Sequence, residues 1–254
     1  MTGPSAKRIA LIGDVHANLP ALEAVLVHAH RHGAQAIWNM GDFVGYGAYP
    51  DEVVQRLRQE QALSILGNYD IKVLKFPKRA EKWRNSKHPQ KWLAFQWAYE
   101  HLSPRSRKYL RSLPEEIWTE QHGKRFLLTH GSPASNEEPL TPDTPDTRLE
   151  ELTRLAAEKY GAPPDAILCG HSHQAFARQV AGTWFINTGS VGRPHDGDPR
   201  TGYAILDLGP DRLAVEHYRL EYDVEKAVAA IRANSLPEAF AQMLLRGMDL
   251  GTVS

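Results

Sequence analysis

The chain of 254 residues has one cysteine, no excess of either charge and no long apolar run. A single cysteine, Cys169, excludes an intramolecular disulfide and a cysteine-rich zinc site, and it is typical of a reducing compartment. Lys and Arg number 30, as do Asp and Glu, so no globally basic surface for nucleic acid or membranes is expected. The apolar run from Ile9 to Ile12 is too short for a signal peptide or a membrane span. These absences predict a cytoplasmic protein without membrane attachment.

The order of apolar segments predicts an α/β (α+β) fold in a single domain, 1–254. Strands are expected at 8–14, 36–42, 63–67, 125–131, 166–173, 183–190, 202–209 and 212–223. Helices are expected at 19–32, with Asn18 as its cap, and at 51–60, 147–160, 224–233 and 237–248. Alternation in the first half indicates crossover connections and largely parallel strands, whereas the second half indicates hairpins. Residues 72–116 interrupt this order and predict a helical, cap-like insertion.

Polar side chains follow five of the predicted strands at the point where each strand ends. They are Asp14, His16, Asp42, Asn68, His130, His171 and His173. Because α/β sheets bind ligands at the carboxyl ends of their strands, these side chains are expected to converge. Carboxylate, amide and imidazole groups without a thiolate suit Mn, Fe or Zn in an open catalytic site.

The motifs around these residues carry a family resemblance. They read DVH (14–16), GDFVG (41–45), GN (67–68), HG (130–131) and GHSH (170–173). In this order the motifs resemble the calcineurin-like metallophosphoesterase superfamily, over residues 8 to about 209. The stretches ALIGDVHANLPALEAVL, GDFVGYGAYPDEVV and INTGSVGRPHDGDPRTGYAILDL are similar to its bacterial phosphodiesterase branch.

The resemblance implies a four-layer αββα sandwich that binds two divalent metal ions, with Mn favoured over Fe and Zn. By this resemblance Asp14, His16 and His173 would bind one ion. Asn68, His130 and His171 would bind the other, and Asp42 would bridge the two. Two cations about 3.5–4 Å apart can clamp the attacking and leaving oxygens of a phosphoryl transfer. The resemblance therefore implies attack of a metal-bound hydroxide on phosphorus.

The sequence departs from the family at LGNYD (66–70), where Tyr69 replaces the histidine that would protonate the leaving group. An unperturbed phenol has a pKa of about 10, against about 6.5 for imidazole, and a general acid contributes about 10²–10⁴ in rate. Phosphodiester or phosphoanhydride substrates with stable leaving groups are therefore predicted over simple monoesters. His195 is the candidate for a replacement acid, or else an ordinary loop residue. Asp70 is expected to orient the loop.

The insertion begins with a basic and aromatic segment that leaves two interpretations open. Its cations are Lys72, Lys75, Lys78, Arg79, Lys82, Arg84, Lys87 and Lys91, against the single acid Glu81. The first interpretation is that this segment, with Lys72, binds an extended phosphate and a base, and that Arg193 also binds phosphate. The second is a core-facing stripe of Trp92, Phe95 and Tyr99 beneath a solvated basic face.

The sequence thus predicts a phosphoesterase with a small, phosphorylated, nucleotide-like substrate; the neutral charge disfavours long nucleic acid. A dinucleoside polyphosphate hydrolase, a serine/threonine protein phosphatase and a non-hydrolysing nucleotide or phosphate sensor are the alternatives. The histidines at 28, 30 and 32 are spaced by two and are interpreted as surface residues on different helix faces. Cys169 is interpreted as a small core residue.

Overall fold

The structure, a computed structural model, describes residues 7–210 and 212–253. Within them, ten strands form two five-stranded sheets. The strands are β1 (Lys7–Ile12), β2 (Ala36–Asn39), β3 (Leu63–Ser64), β4 (Glu116–Gln121), β5 (Lys124–Thr129), β6 (Ala166–Cys169), β7 (Phe176–Val180), β8 (Thr183–Asn187), β9 (Thr201–Gly209) and β10 (Arg212–Leu220).

Nine helices connect and cover these strands in the same part of the chain. They are α1 (Leu19–Arg31), α2 (Pro50–Gln59), α3 (Asn68–Ser86), α4 (Pro89–His101), α5 (Pro104–Ser112), α6 (Asp146–Tyr160), α7 (Val224–Ala233), α8 (Glu238–Arg246) and α9 (Leu250–Val253). As predicted, Asn18 caps α1, where its side chain accepts a hydrogen bond from the backbone N–H of Ala21. No helix among the described residues combines the length and the apolar character that crossing a bilayer requires.

Both sheets are mixed. The first has the order β10-β9-β1-β2-β3, with β1, β2 and β3 parallel, β9 antiparallel to β1, and β10 antiparallel to β9. The second has the order β4-β5-β6-β8-β7, with β5, β6 and β8 parallel and an antiparallel strand at each edge. The predicted parallel strands of the first half and the β9–β10 hairpin are confirmed, but β8 and β9, which were expected to be joined by a short turn, lie in different sheets.

The two sheets pack face to face, and helices cover the outer faces. Leu11 and Met40 from the first sheet share one buried apolar cluster with Leu128 and Leu168 from the second. Helices α1 and α2 pack on the outer side of the first sheet, and α6 packs on the outer side of the second. This arrangement is the predicted αββα order, which the structure confirms.

Two boundaries differ from the prediction in ways that concern the site. Helix α3 begins at Asn68 rather than near residue 72, so the GNYD motif forms its first turn. Strands β4 and β7 were not predicted, because EIWTEQ and FARQV are short and only partly buried edge strands. In α4, Phe95 is buried and Trp92 and Tyr99 pack against the core, so the aromatic stripe faces inward.

The interpretation of the α1 histidines as splayed apart is wrong for two of them. The rings of His28 and His32 stack with centroids 3.8 Å apart, since residues four apart share a helix face. His28 Nδ1 also lies 2.7 Å from the hydroxyl of Tyr203. Cys169 is buried in the core, as predicted, and burial raises the pKa of its thiol.

Candidate metal centre

The seven polar residues at the strand ends lie along the edge where the two sheets meet. Asp14, His16, Asp42 and Asn68 follow β1, β2 and β3 of the first sheet. His130, His171 and His173 follow β5 and β6 of the second sheet. Because parallel strands deliver their carboxyl ends to one edge, each sheet contributes part of a single site.

Two groups of side chains are close enough to share a cation. The ligand atoms of Asp14, His16 and His173 lie within 4.8 Å of one another, as do those of Asp14, Asp42 and His130. Asp14 Oδ1 lies 3.2 Å from Nε2 of His173. Asp42 Oδ2 lies 3.7 Å from Nε2 of His16 and 3.4 Å from Nε2 of His130. Asp14 thus belongs to both groups, and the Asp42 carboxylate also reaches a histidine of each.

Five of the seven residues have a backbone in the left-handed region, which non-glycine residues rarely adopt. The φ angles are 52° at Asp14, 47° at His16, 55° at Asp42, 64° at His171 and 59° at His173. Cross-links between the loops hold this geometry, since the N–H of Asp14 donates to Gly41 at 3.0 Å and that of His16 to the carbonyl of Asp42 at 2.9 Å. Such strain persists where the surroundings enforce it, most often at functional sites.

Each of the four histidines makes one hydrogen bond to a backbone carbonyl. The acceptors are the carbonyls of Val44 for His16, Met40 for His130, Glu137 for His171 and Arg193 for His173. A carbonyl only accepts, so the bonded nitrogen must carry a proton, and the other ring nitrogen presents its lone pair whenever the imidazole is neutral. That lone pair is on Nε2 in three of the rings and on Nδ1 in His171. Metal-binding histidines are oriented in this way.

Several buried acceptors in the site have no hydrogen-bond partner among residues 7–210 and 212–253. They are Asp14 Oδ1, Asn68 Oδ1 and His130 Nε2. The Nε2 atoms of His16 and His173 lie 3.3 Å apart, and both present lone pairs. Buried acceptors without donors are costly and rare. A bound cation would satisfy all five atoms, so the donor set fits divalent metal ions.

The charges of the site also favour cations. Burial raises the pKa values of Asp14 and Asp42, but the neighbouring His173 and His130 outweigh burial and lower both pKa values. Burial lowers the pKa of His130, yet the Asp42 carboxylate raises it to about 9. Burial, followed by Arg193, holds the pKa of His16 well below its usual range. Both carboxylates are therefore ionised, and His130 carries a proton that a cation would replace.

The backbone at Gly67 lies close to Asp42 and fixes the position of its side chain. A Cβ at Gly67 would lie 2.1 Å from Asp42 Oδ1 and 2.3 Å from the Asp42 nitrogen. Just beyond, the N–H of Tyr69 donates to Asp42 Oδ1 at 2.7 Å. The first turn of α3 thus fixes one oxygen of Asp42 and leaves the other facing His16 and His130.

Tyr69 lies against the site, but its hydroxyl is a weaker acid than that of an ordinary tyrosine. Its hydroxyl is 2.5 Å from that of Tyr46, and its ring meets the His16 ring edge-on with centroids 5.2 Å apart. Burial, followed by Tyr46, raises the pKa of Tyr69 well above its usual range. Sequence reasoning did not single out Tyr46, although its place in GDFVGYG beside a motif was a signal.

Asp70 lies behind the site, in the role predicted for it. Its carboxylate accepts hydrogen bonds from the N–H of Val44 at 3.2 Å and of Gly67 at 2.9 Å. These bonds tie the loops after β2 and β3 together. Burial and the nearby Asp42 raise the pKa of Asp70 to about 8.

Arg193 and His195 lie in the loop after β8, beside His173. The Arg193 guanidinium donates to Asp249 at 3.0 Å and stacks 4.0 Å above the Tyr46 ring. His195 stacks on His173 with ring centroids 4.0 Å apart. Burial, followed by His173, lowers the pKa of His195, so its imidazole is neutral at pH 7. The structure thus brings both residues to the site.

Lys72 lies on the opposite side of the site, where it contacts the loop after β5. Its Nζ is 2.7 Å from Oε1 of Glu137, whose backbone carbonyl accepts the hydrogen bond of His171. The His171 and His130 rings lie 5.1 Å apart. His171 belongs to neither of the two groups above, but it joins the site to Glu137 and Lys72.

Comparison with known proteins identifies relatives along nearly the whole chain. The family model of the calcineurin-like phosphoesterase superfamily domain matches residues 8–211. An uncharacterised protein of Methanocaldococcus jannaschii is 34% identical, covering 94% of this chain and 98% of its own. The crystal structure of a metallophosphoesterase from Sphaerobacter thermophilus is 31% identical, with a TM-score of 0.73, over 96% of this chain and 100% of its own. A hypothetical protein of Pyrococcus horikoshii is 22% identical, with a TM-score of 0.82, over 94% and 98%.

Proposed function

The chain belongs to the calcineurin-like phosphoesterase superfamily, and on that premise we propose that it hydrolyses phosphodiester or phosphoanhydride bonds with two divalent metal ions. One observation carries the proposal: buried acceptors in the site lack donors, while every histidine of the site is oriented by a carbonyl. A site that only packed the sheet ends together would pair these acceptors with donors.

In this proposal Asp14, His16 and His173 hold one ion, and Asn68, His130 and His171 hold the other. Asp42 would be a ligand of both ions, in line with its distances to His16 and His130. When bound, the ions would supply positive charge that stabilises phosphoryl oxygens and lowers the pKa of the attacking water. Mn is the favoured metal because oxygen and imidazole ligands are mixed in the absence of a thiolate.

The protein itself supplies position and a dry environment. Carbonyl groups fix the ring orientation of each histidine, and the N–H of Tyr69 fixes the Asp42 carboxylate. Burial of Asp14 and Asp42 excludes bulk water from the reacting groups. Preorganised groups of this kind need no rearrangement as charge develops.

The substrate preference follows from the lack of an ordinary proton donor. Tyr69 has a raised pKa, and the neutral His195 stacks on a ligand, so neither serves as an acid of normal strength. Leaving groups that depart as stable anions need little protonation. Phosphoanhydrides of nucleotide-like compounds, including dinucleoside polyphosphates, and phosphodiesters with a stable anionic leaving group are therefore favoured over the phosphoprotein monoesters of a serine/threonine phosphatase. A cytoplasmic location remains our prediction from the cysteine content.

Hydrolysis of bis-p-nitrophenyl phosphate with added Mn²⁺ tests the proposal. Its leaving group needs little acid assistance, so the assay isolates the metal site from Tyr69. We expect turnover that EDTA abolishes and that Asp42→Asn removes. A folded protein with no turnover in the presence of any of the three metals would favour the sensor alternative.

A further inference from the structure

The site is closed on one side and reachable on the other. Helices α7 and α8 pack in one apolar cluster with Tyr46 and Tyr69 and cover the His16 side. Among the candidate ligands, His171 is only partly buried, whereas the other six are buried. Substrate must therefore approach past His171, where Glu137 and Lys72 lie.

Two lysines flank this approach. Lys72 Nζ contacts Glu137 at 2.7 Å and lies 5.6 Å from the ring centroid of Tyr69. Lys87 follows the end of α3, and its Nζ lies 5.2 Å from the Trp83 ring. Its Nζ also lies 6.0 Å from the Phe95 ring, whose centroid is 5.1 Å from that of Tyr69, so the two ammonium groups lie against adjacent aromatic rings. We define Lys72, Lys87 and Glu137 as the rim.

The rim carries more positive charge than its own carboxylate balances. Glu137 is the acid that pairs with Lys72, and its side chain is 60% exposed. An anion that enters next to Lys72 would gain charge-assisted hydrogen bonds without displacing any buried group.

We infer that Lys72 and Lys87 bind a second anionic group of the substrate, a distal phosphate, while the metal centre binds the phosphate that is cleaved. This inference rests on the proposed function and narrows its substrate class to esters or anhydrides that carry at least two phosphate groups. Glu137 acts as a competitor that holds Lys72 while the distal phosphate is absent.

Binding of two nucleotides that differ by one phosphate measures the role of the rim without relying on turnover. Thymidine 5′-phosphate and thymidine 3′,5′-bisphosphate are titrated calorimetrically into the Mn²⁺-loaded protein. The wild type is expected to prefer the bisphosphate. In Lys72→Ala/Lys87→Ala that preference should fall about tenfold, because the charge-assisted hydrogen bonds to the second phosphate are lost, while monophosphate affinity changes little.

Matched variants distinguish phosphate binding by the rim from a general effect of positive surface charge. Lys78→Ala/Lys108→Ala removes two exposed lysines of the same helical segment, neither of which pairs with a carboxylate among the described residues, and should leave the preference unchanged. Glu137→Gln keeps the backbone carbonyl that orients His171 and should raise the preference for the bisphosphate. Opposite changes in the lysine and Glu137 variants would support the inference. Equal losses in the two lysine variants, or no change in any, would overturn it.

The p-nitrophenyl 5′-esters of the same two nucleotides distinguish failure of the inference from failure of the proposed function. If neither ester is hydrolysed, the proposed function fails, and the titration still decides whether the rim binds a distal phosphate. If both are hydrolysed equally well and the lysine variant binds both nucleotides like the wild type, only the rim inference fails.

Discussion

The metal centre and the rim stand side by side but are built by different means. The seven residues of the centre lie at strand ends: six are buried, five have a left-handed backbone, and the four histidines each bond to a backbone carbonyl. The rim consists of Lys72 on α3, Lys87 just after it and Glu137 in the loop after β5, and the carboxylate that pairs with Lys72 is largely exposed. Backbone-fixed groups suit chemistry that tolerates no displacement. Exposed lysines suit recognition of different anions.

Substitution of single histidines should give the largest difference in activity between a residue of the metal centre and a residue beside it. His130→Asn should lower kcat/KM for bis-p-nitrophenyl phosphate about a thousandfold or more, equivalent to about 4 kcal/mol of transition-state stabilisation. His195 only stacks on His173, so His195→Asn should lower kcat/KM about tenfold. Steady-state kinetics with Mn²⁺ measures both, and circular dichroism verifies the fold. Comparable losses would show that the centre extends to His195.

A methyl group at Gly67 tests how tightly the backbone fixes Asp42. Gly67→Ala would place Cβ 2.1 Å from Asp42 Oδ1, so it should destabilise the protein by about 3 kcal/mol. Gly161→Ala at the end of α6 meets nothing within 4 Å and should cost about 1 kcal/mol for its positive φ. Urea unfolding gives both values. Equal costs would mean that the loops after β2 and β3 can move apart.

Restoring imidazole at position 69 tests the role of the missing acid. Tyr69→His should raise kcat/KM for glycerol 2-phosphate, a monoester whose alkoxide leaving group needs a proton, about tenfold to a hundredfold, and should leave the rate on bis-p-nitrophenyl phosphate nearly unchanged. Parallel assays of the two substrates measure the ratio, with Tyr69→Phe as the control that removes only the hydroxyl. A gain on both substrates alike would instead point to a change in access to the site.

Proton release on metal binding tests the electrostatics of the centre. With its pKa raised to about 9, His130 is protonated at pH 7 and deprotonated only as the pH rises through about 9. Its pairing with Asp42 should therefore stabilise the metal-free protein fully below the unfolded-state pKa of about 6.5 and lose that effect toward pH 9. A cation must displace this proton, so affinity for Mn²⁺ should rise about tenfold per pH unit below pH 9. Calorimetry in two buffers counts the protons; none released would contradict this protonation state.

The sequence was sufficient to predict the candidate ligands at the strand ends, but not the residues that contact them. Asp14, Asp42 and His130 could be predicted because short apolar runs end in polar motifs, and sheets gather such ends at one edge. The carbonyl partners, such as Met40 and Val44, could not, because any residue offers a carbonyl and only the fold decides which one faces a ring. Tyr46 was missed for a similar reason: its hydroxyl meets Tyr69 only once α3 begins at Asn68.

The order of strands in the sheets was harder to predict than the strands themselves. The β9–β10 hairpin was expected from its local pattern, but its pairing with β1, Ile9 opposite Leu206, joins residues almost two hundred positions apart. The hydrophobic periodicity of a segment does not indicate which distant strand it pairs with. Lys72 and Glu137 likewise meet only through tertiary structure.

The number of metal ions bound per chain tests the central claim most directly. The metal-free protein is equilibrated with Mn²⁺, freed of excess and measured by atomic emission, beside Asn68→Ala and Asp14→Ala. The account predicts two ions in the wild type, one in Asn68→Ala and further loss in Asp14→Ala, which belongs to both groups. A folded wild type that binds no ion, or two ions held equally well by all three proteins, would contradict it.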